Sequence, residues 1–455
     1  MNPLTWYNKN KEKAGTIWEF YISSRRNIVI NHVQHIERLC KQTKSFFKRN
    51  PIPIFERIGL NHGIFFNNDY DSWHRRRKLV NRALMSKKFL QGLVFCIQTQ
   101  FKASEKRWKS KIKDGIEFEF SEWMIHFAAD IITVQITKQR SYCVALFDTN
   151  NKLVQSEEIK KSLEFTKAIK NFFGSLGFFV YMPQFIMNYV PGFSHYRERC
   201  ERSINNLNDI VNKIITKRKK ELEEGAELDS DLLDHLLVAH AIQDPDSKHD
   251  DNVEPITAKE VAALTWEILL AGVDSTGNAT SFLLYYIAKN LNVLAKIHKE
   301  IDEVFGPDSN VEFSLEKLDK CHYIEATIKE TLRFHELAPF TIKISDGIEN
   351  VAGYDWPSGT WFWIDSQTLG NNPDYWDDIE TFNPDRFLNK DYGGSSELTD
   401  FQKTSFVPFG YGLRYCPGKL MAMNMMKTLV ILFHRKYKIE LKNDKIKYYL
   451  SGISQ

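Results

Sequence analysis

The stretch that decides the fold of this chain is Phe409-Gly410-Tyr411-Gly412-Leu413-Arg414-Tyr415-Cys416-Pro417-Gly418. A cysteine stands two residues after an arginine, between glycines and directly before a predicted helix over 420–437. The N–H groups and partial positive charge of a helix N-terminus favour a thiolate. Glycines let the backbone approach a flat ligand, and Arg414 can neutralise a carboxylate. A thiolate, a flat ligand and a carboxylate together predict heme.

Two other interpretations of this stretch compete with heme. A buried cysteine in a glycine turn would carry no chemistry. The Gly-Tyr-Gly at 410–412 also resembles the start of a dinucleotide-binding fingerprint. That fingerprint needs a third glycine where this chain has Tyr415, and it needs a strong parallel strand before it, which the sequence lacks. The dinucleotide interpretation is therefore excluded.

The best-marked helix is predicted over 257–290, where Thr257 and Glu260 form a capping box before an apolar run. Its centre reads Ala271-Gly272-Val273-Asp274-Ser275-Thr276. The first two residues lack bulk and would let a ligand lie against the helix, and an acid beside a hydroxyl can deliver protons. Glycine and serine are unfavourable inside helices, so the residues taken alone favour a kink or a tight helix crossing.

Two further motifs, E-x-x-R and W-x-x-x-R, indicate a function only when they occur together with the two stretches described above. Glu330 and Arg333 form E-x-x-R and can pair on one helix face, but surface helices often contain this spacing. Trp73 and Arg77 form W-x-x-x-R, one turn apart on one face. Their basic neighbours are predicted to be a solvated face or a patch for an acidic redox partner, and these are Arg75, Arg76 and Lys78.

Taken in order, these patterns resemble the cytochrome P450 family of heme-thiolate monooxygenases. The family signature F-x-x-G-x-R-x-C-x-G is matched in full within 409–418. E-x-x-R is followed by Pro384-Asp385-Arg386-Phe387, which resembles the family's buried Glu–Arg–Arg cluster, with Asp385 in place of the commoner glutamate. The resemblance implies a mainly α fold with small β sheets, in which a long central helix and the Cys-ligand loop enclose the heme.

The resemblance also assigns roles to residues, with Cys416 as the axial ligand of the iron and cations holding the propionates. The residues that it places around the heme are Trp73, Arg77, Lys343, Phe409, Arg414, Cys416 and Gly418. The residues that it places in the oxygen-activation site are Asp274, Ser275 and Thr276. The structural cluster comprises Glu330, Arg333 and Arg386. Two positions depart from the common pattern, because Ser275 replaces the usual threonine and Lys343 replaces an arginine.

Composition excludes several other classes of protein. The 455 residues are 43% hydrophobic and 26% charged, which excludes intrinsic disorder and a multi-span transporter. Lys and Arg number 61 against 58 Asp and Glu, a net charge of +3 that is too near balance for nucleic-acid binding. The six cysteines lie far apart without zinc spacing, which favours a reducing compartment.

Periodicity predicts a mostly helical chain with β segments over 15–30 and 342–365. The predicted helices span 33–47, 73–89, 101–113, 120–137, 203–222, 257–290, 293–305, 324–335 and 420–437. An acidic loop is predicted over 243–255. The run 171–196 has no Asp, Glu, Lys or Arg and is rich in aromatics, but Pro183 and Pro191 argue against a membrane span. It is predicted to be a buried or membrane-dipping loop between two helices.

By resemblance, the expected activity is monooxygenation of a small lipophilic substrate with O2 at heme b. Electrons would come from NAD(P)H through a separate flavoprotein reductase or another donor, since no flavin or iron–sulfur motif is present. A heme-thiolate isomerase or peroxygenase, and a heme-binding protein without turnover, stay open as alternatives. We expect a monomer with one domain over 1–455 that contacts a membrane through 172–193.

The ends of the chain carry a further expectation. Microsomal members of the family have a hydrophobic anchor, a Pro-rich hinge and a helix before the first β segment. This chain starts close to that segment and stops soon after Cys416, so the N-terminal anchor and part of the C-terminus are expected to be missing. The expected location is the cytosolic face of the endoplasmic reticulum membrane, or the cytoplasm for an anchorless chain.

Overall fold

The computed structural model describes most of the chain, with gaps between the described ranges. The described residues are 15–22, 24–40, 44–57, 59–113, 119–139, 141, 143–144, 157–229, 231–241, 255–306, 313–388, 391 and 397–441. The predicted acidic loop lies outside them except for its last residue. The α-helices are α1 Val33–Cys40, α2 Pro53–Arg57, α3 Tyr70–Leu84, α4 Lys87–Lys113, α5 Phe120–Thr137, α6 Glu157–Tyr181, α7 Gln184–Tyr189, α8 Phe193–Glu223, α9 Leu232–Ala241, α10 Ala258–Lys289, α11 Leu291–Phe305, α12 Leu315–Asp319, α13 His322–Phe334, α14 Ser366–Gly370, α15 Asp400–Ser405 and α16 Lys419–Lys436.

Six short strands form two small sheets. The strands are β1 Ile17–Ile22, β2 Arg25–Ile30, β3 Phe340–Ile344, β4 Glu349–Val351, β5 Tyr354–Trp356 and β6 Trp361–Asp365. The larger sheet has the order β1-β2-β6-β3, with β2 parallel to β6 and the other pairs antiparallel. The register sets Ile28 against Phe362 and Ile342 against Trp363. This sheet therefore joins the start of the chain to its last third.

The long helix α10 organises the helical part of the fold. Its 32 residues span about 48 Å at the standard rise, and Thr257 and Glu260 form the predicted capping box. Helix α5 crosses it closely, because a Cβ on Gly277 would lie 2.8 Å from the Cα of Ile125. Helix α16, which starts directly after the Cys416 loop, also packs against α10.

Several predicted elements are confirmed and others are wrong in extent. Helix α5 has the predicted bounds, and α10 differs from its prediction by one residue at each end. The helix predicted over 73–89 ends at Leu84, and α4 starts at Lys87, well before the predicted 101. Helix α1 ends at Cys40 instead of 47. Helix α9 was not predicted, because seven of its ten residues are apolar and they show no amphipathic period.

The prediction of an aromatic loop over 171–196 is wrong. Helix α6 continues to Tyr181, α7 occupies Gln184–Tyr189, and α8 starts at Phe193. Pro183 takes the N-cap position of α7, where a missing N–H costs nothing, so it separates two helices without preventing them. In the described ranges, no helix combines the length and the apolar character that crossing a membrane requires.

Candidate functional site: a cysteine loop beside unmatched cations

The loop that carries Cys416 is shaped by glycines. Gly410 and Gly412 have φ angles of 69° and 62°, in the left-handed region that glycine adopts without strain. The chain turns there so that the Cys416 N–H donates to the Phe409 carbonyl at 2.8 Å. A Cβ on Gly418 would stand 3.9 Å from the Cys416 sulfur, so the start of α16 lies close to the thiol. The sequence prediction of a cysteine at a helix N-terminus is borne out in geometry.

The expected low pKa of this thiol is not found. Burial raises the pKa of Cys416 above its ordinary value, and this outweighs the Gly418 N–H and nearby cations, which lower it. Those cations are Arg77, Arg49 and Lys419. The helix terminus therefore does not by itself make a thiolate here. A coordinated metal ion deprotonates a thiol outright, so the site suits a sulfur that is charged only when it binds metal.

Four cations gather beside this loop, and we call them the cation group. They are Arg49, Arg77, Lys343 and Arg414. Arg77 is buried, donates to the Tyr415 carbonyl at 2.7 Å, and has a buried Nε without an acceptor among the described residues. Burial and neighbouring arginines lower the pKa of Lys343 to about 8. Within the described ranges, the Lys343 ammonium has no hydrogen-bond or ion-pair partner.

Arg414, a member of the cation group, and Trp73 beside it donate their N–H groups to backbone carbonyls. The prediction was that they would donate to heme propionates. Arg414 Nη1 donates to the Ile64 carbonyl at 2.6 Å, and Nε donates to the Phe47 carbonyl at 3.2 Å. Trp73 Nε1 also donates to the Ile64 carbonyl, at 3.1 Å. Both side chains therefore hold the backbone beside the Cys416 loop, and their role as propionate ligands stays a prediction.

The cation group fits the anionic edge of heme. Among the described residues, Glu267 is the carboxylate that acts on Arg49 and Arg414, and it is already occupied by backbone N–H groups. Buried positive charge without matching negative charge is costly. A ligand with two carboxylates would supply the missing charge, and the unpartnered Nε of Arg77 offers it a donor. Heme has such an edge, and the residues present fit it, since the cation group would hold the carboxylates and Cys416 would ligate the iron.

The centre of α10 shows which small residues serve packing. A Cβ on Gly272 would lie 3.1 Å from Ile132 of α5, so this glycine permits the tight crossing, as the residues alone suggested. Ala271 and Ser275 are exposed although their helix is largely buried. The Ser275 hydroxyl donates to the Ala271 carbonyl at 2.5 Å, and Thr276 is buried. The open face of α10 therefore carries Ser275 and not Thr276.

The structural cluster forms as the sequence predicts. Arg333 donates to both carboxylate oxygens of Glu330, at 2.8 and 2.9 Å, and both side chains are fully buried. Arg386 Nε lies 3.3 Å from Glu330 Oε1. Asp385, the unusual residue of this motif, pairs outside the cluster with Lys296 at 2.7 Å.

Sequence reasoning missed three charged residues of this region. Arg49 follows a phenylalanine pair but belongs to no motif. Glu267 looks like one polar residue in the apolar run of α10. Arg76, predicted as part of a solvated face, is buried and pairs with Glu260 at 2.6 Å. A charge inside an apolar run, as at Glu267, is the one sequence signal that could have indicated a buried role.

The comparisons with known proteins agree with this geometry. The family model described as Cytochrome P450 matches residues 1–452. Cytochrome P450 CYP82J17 of Trigonella foenum-graecum is 25% identical over 435 residues, which cover 92% of this chain and 78% of that protein. The 3,9-dihydroxypterocarpan 6A-monooxygenase of Glycine max is 24% identical over 440 residues, 92% of this chain and 80% of that one.

A solved structure shows the same fold. The crystal structure of the cytochrome P450DA heme domain superposes with a TM-score of 0.72 at 18% identity, covering 95% of this chain and 86% of that one. The chain belongs to the cytochrome P450 family of heme-binding monooxygenases. The predicted fold class and enzyme class are confirmed.

Proposed function

We propose that this monooxygenase inserts one atom of O2 into a small lipophilic substrate, with electrons from NAD(P)H delivered by a separate flavoprotein reductase. The observation that carries the proposal is the cation group beside Cys416, which lacks the negative charge that a heme would bring. Ala271 and Ser275, both exposed on one face of α10, would form part of the wall of the substrate site. Neither side chain is large or charged. We further propose that residues 1–455 act as one domain and as a monomer.

Heme b is the form of the cofactor that suits these residues. Cys416 would ligate the iron, and Arg77 and Lys343, which have unused donors, would hold the propionates, with Arg49 beside them. Bound there, heme supplies the iron that activates O2, and a thiolate ligand favours cleavage of the O–O bond. The Phe409 carbonyl accepts the Cys416 N–H, and the Gly418 N–H bonds to the Cys416 sulfur, so these two residues keep the backbone close to the sulfur.

Ser275 is our candidate for handling protons. Its hydroxyl lies on the exposed face of α10 and bonds only to a carbonyl of its own helix in the described contacts. It can therefore turn to donate to a bound species and take a proton in return. Asp274 directly precedes Ser275 in the helix and is partly buried. From this position its carboxyl can return a proton to the Ser275 hydroxyl. Thr276 is buried, which supports a smaller role for it.

A basic surface next to the Cys416 loop suits an acidic reductase. Arg75, Lys78 and Arg82 are exposed on α3, and Lys419 is exposed at the start of α16. Helix α3 is tied to the loop because Arg77 donates to the Tyr415 carbonyl. Opposite charge on a partner would speed association and make it depend on salt.

Membrane contact is proposed through the aromatic segment. Phe185 and Tyr189 of α7 are 62% and 81% exposed, and Val190 and Phe193 next to them are also exposed. Aromatic side chains at this exposure suit a lipid interface. We propose peripheral contact with the endoplasmic reticulum membrane on its cytosolic face.

The deciding experiment is turnover by the purified protein with a flavoprotein reductase against a panel of lipids and sterols. Product and hydrogen peroxide are measured per NADPH consumed for wild type, Ser275→Ala, Ser275→Thr and Thr276→Ala. We expect Ser275→Ala to keep substrate affinity and heme content while peroxide rises at the expense of product. Ser275→Thr should couple as well as wild type, because a β-branched side chain holds its hydroxyl more rigidly.

Two results would contradict the proposal. Equal coupling in Ser275→Ala and wild type would remove Ser275 from the proton path. Absence of NADPH consumption with every reductase tested, by a protein that retains its heme, would remove the proposed electron route.

A further inference from the structure

Two histidines meet where α11 packs against α16. The ring centroids of His298 and His434 are 5.8 Å apart, and the two ring planes are nearly perpendicular, at 86°. His434 lies fifteen residues after the start of α16 at Lys419, which is about 22 Å along the helix at the standard rise. The pair is therefore separate from the Cys416 loop, and the proposed function does not use it.

The buried ring of this pair has an unused nitrogen. His434 is 5% exposed, and its Nε2 is buried without a hydrogen-bond partner in the described ranges. Burial and the neighbouring His298 lower the pKa of His434 to about 4, so its ring is neutral at pH 7. A neutral imidazole carries a free lone pair on one nitrogen, which is the form that binds metal ions. A buried polar atom without a partner is costly, and a ligand would remove that cost.

The spacing of the two rings leaves room for one ion between them. A metal ion binds an imidazole nitrogen at about 2.0–2.1 Å, and so stands about 3.2 Å from the centroid of the ring. Two rings on one ion therefore have centroids no more than about 6.3 Å apart, and the observed 5.8 Å lies within this limit. His298 is exposed, so its ring can turn toward His434, and an ion can enter from solvent.

The chemistry of the pair selects the kind of ion. Among the described residues, no three histidine, cysteine or carboxylate side chains are grouped as a metal site, so water would complete the coordination of an ion held by this pair. Magnesium and calcium prefer oxygen ligands, and no carboxylate is among the described groups that shift the pKa of His434. Imidazole suits copper, zinc and nickel, and copper binds most tightly of these three.

We propose that His298 and His434 form a copper-binding site, in which His434 supplies the buried ligand and His298 the ligand on the solvent side. Arg435, next to His434, donates to the carbonyl of Gly306, which caps the end of α11, at 3.1 Å. The two helices are thus already held together, and the ion does not have to assemble them. A bound ion would add a link between α11 and α16 that the unfolded chain cannot offer, and would stabilise the folded chain.

The first test is a calorimetric titration of the heme-loaded protein with Cu2+. The heme-loaded form is used because a free Cys416 thiol can itself bind copper. We expect His298→Ala to weaken the tightest bound Cu2+ by about tenfold or more, and Zn2+ to bind wild type more weakly than Cu2+ does. Sites elsewhere on the chain, thiols included, are present in both proteins and cancel in the comparison. Unchanged affinity in His298→Ala, an exposed position where the substitution does not threaten folding, overturns the inference.

A matched control separates this site from copper binding by histidines in general. His32 and His35 of the N-terminal part also stand close, with ring centroids 5.4 Å apart, but His32 Nδ1 already accepts the Gln34 N–H at 3.4 Å. His35→Ala should therefore leave the affinity for the tightest Cu2+ unchanged. A loss in His35→Ala as large as that in His298→Ala would overturn the inference.

The second test locates the ion. Crystals of the heme-loaded protein are soaked in Cu2+, and the anomalous scattering of copper is mapped. We expect the strongest peak between the two rings, at about 2.0–2.1 Å from one nitrogen of His298 and from Nε2 of His434. The peak should be absent from crystals of His298→Ala. Peaks at other side chains with none between His298 and His434 would overturn the inference, whatever the titration shows.

Discussion

Two buried ionic sites of this protein differ in how completely their charges are satisfied. In the cluster of Glu330, Arg333 and Arg386, the guanidinium of Arg333 donates to both oxygens of Glu330 and to the carbonyls of Gly370 and Ile379. Glu330 also accepts the Asn383 N–H at 3.0 Å. The cluster closes on itself. It therefore stabilises one arrangement of the chain and leaves no donor for a ligand.

The cation group shows the opposite condition. Arg77 has a buried Nε without a partner in the described ranges. Lys343 is a buried residue, and no hydrogen bond or ion pair of its ammonium is found among the described residues. Neighbouring positive charges lower the pKa values of Arg49 and Lys343 together with burial. Folding alone does not repay such an arrangement. This contrast supports the proposal that the cation group binds the carboxylates of a ligand.

Cys416→Ser is the largest test of this contrast. A serine oxygen does not replace a thiolate at iron, so we expect the reduced, carbon monoxide-bound protein to lose the red-shifted Soret band and all turnover. The apoprotein should unfold at the same urea concentration as wild type. Cys321→Ser, at a buried thiol away from the loop, should keep the band. Retention of the band in Cys416→Ser would exclude Cys416 as the ligand.

Arg333→Ala tests the closed cluster. It leaves the Glu330 carboxylate buried without its main partner, which costs about 3–5 kcal/mol. The expected outcome is a large loss in the free energy of unfolding, measured in urea, and aggregation during expression. Lys299→Ala, in an exposed pair with Glu303, should cost about 0.5 kcal/mol or less. Equal stability of Arg333→Ala and wild type would show that the cluster is not closed in solution.

The sequence predicted the closed cluster better than the open one, for a physical reason. Glu330 and Arg333 are three residues apart on one helix, so local spacing already places them in contact. The resemblance placed three members of the cation group, Arg77, Lys343 and Arg414, around the heme. Arg49 belongs to no motif, and only the tertiary fold brings it to Arg77. The same limit explains Glu267, whose partners lie about 200 positions away. The end of α6 differs from the prediction because Pro183 caps α7 and does not interrupt α6, which ends at Tyr181.

Lys343→Met tests whether the cation group lacks a partner, because we expect it to stabilise the apoprotein and to weaken heme binding. Removing an unpaired buried charge should stabilise the apoprotein by about 1–3 kcal/mol. If Lys343 holds a propionate as proposed, the substitution should also weaken heme binding by about tenfold, since one charge-assisted contact would be lost. Urea unfolding of the apoprotein and heme titration measure the two effects separately.

The control for Lys343→Met is a buried cation that is paired. Arg218 lies 2.6 Å from Asp234 and is equally buried. Arg218→Met should destabilise the apoprotein, because it strands Asp234. Destabilisation of the apoprotein by Lys343→Met as well would show that Lys343 already has a partner and that the cation group is closed.

The smallest expected effect is the pH dependence of the apoprotein. The pKa of Lys343 is lowered from 10.5 to about 8 in the folded chain. Between these values the unfolded chain holds a proton that the folded chain lacks, so the free energy of unfolding rises with pH through this window. The rise is at most about 1.4 kcal/mol per pH unit. Below pH 8, Lys343 is protonated in both the folded and the unfolded chain. Its contribution to the free energy of unfolding is then constant and at its least favourable value.

Urea unfolding at pH 8, 9 and 10, followed by the fluorescence of the ten tryptophans, measures this rise. Other groups titrate in the same window, and burial gives the Cys40 thiol the opposite sign by raising its pKa to about 12. The quantity to compare is therefore the difference between wild type and Lys343→Met, in which the contributions of groups that do not interact with Lys343 cancel. Both proteins carry Cys40→Ser in this comparison, because the Cys40 thiol and Lys343 shift each other's pKa. In the heme-loaded protein, a propionate held by Lys343 would raise the pKa of its ammonium again, so the difference should then vanish. An identical pH dependence of the free energy of unfolding in the two apoproteins would mean that Lys343 is hydrated in solution. The main evidence that the cation group lacks a partner would then be lost.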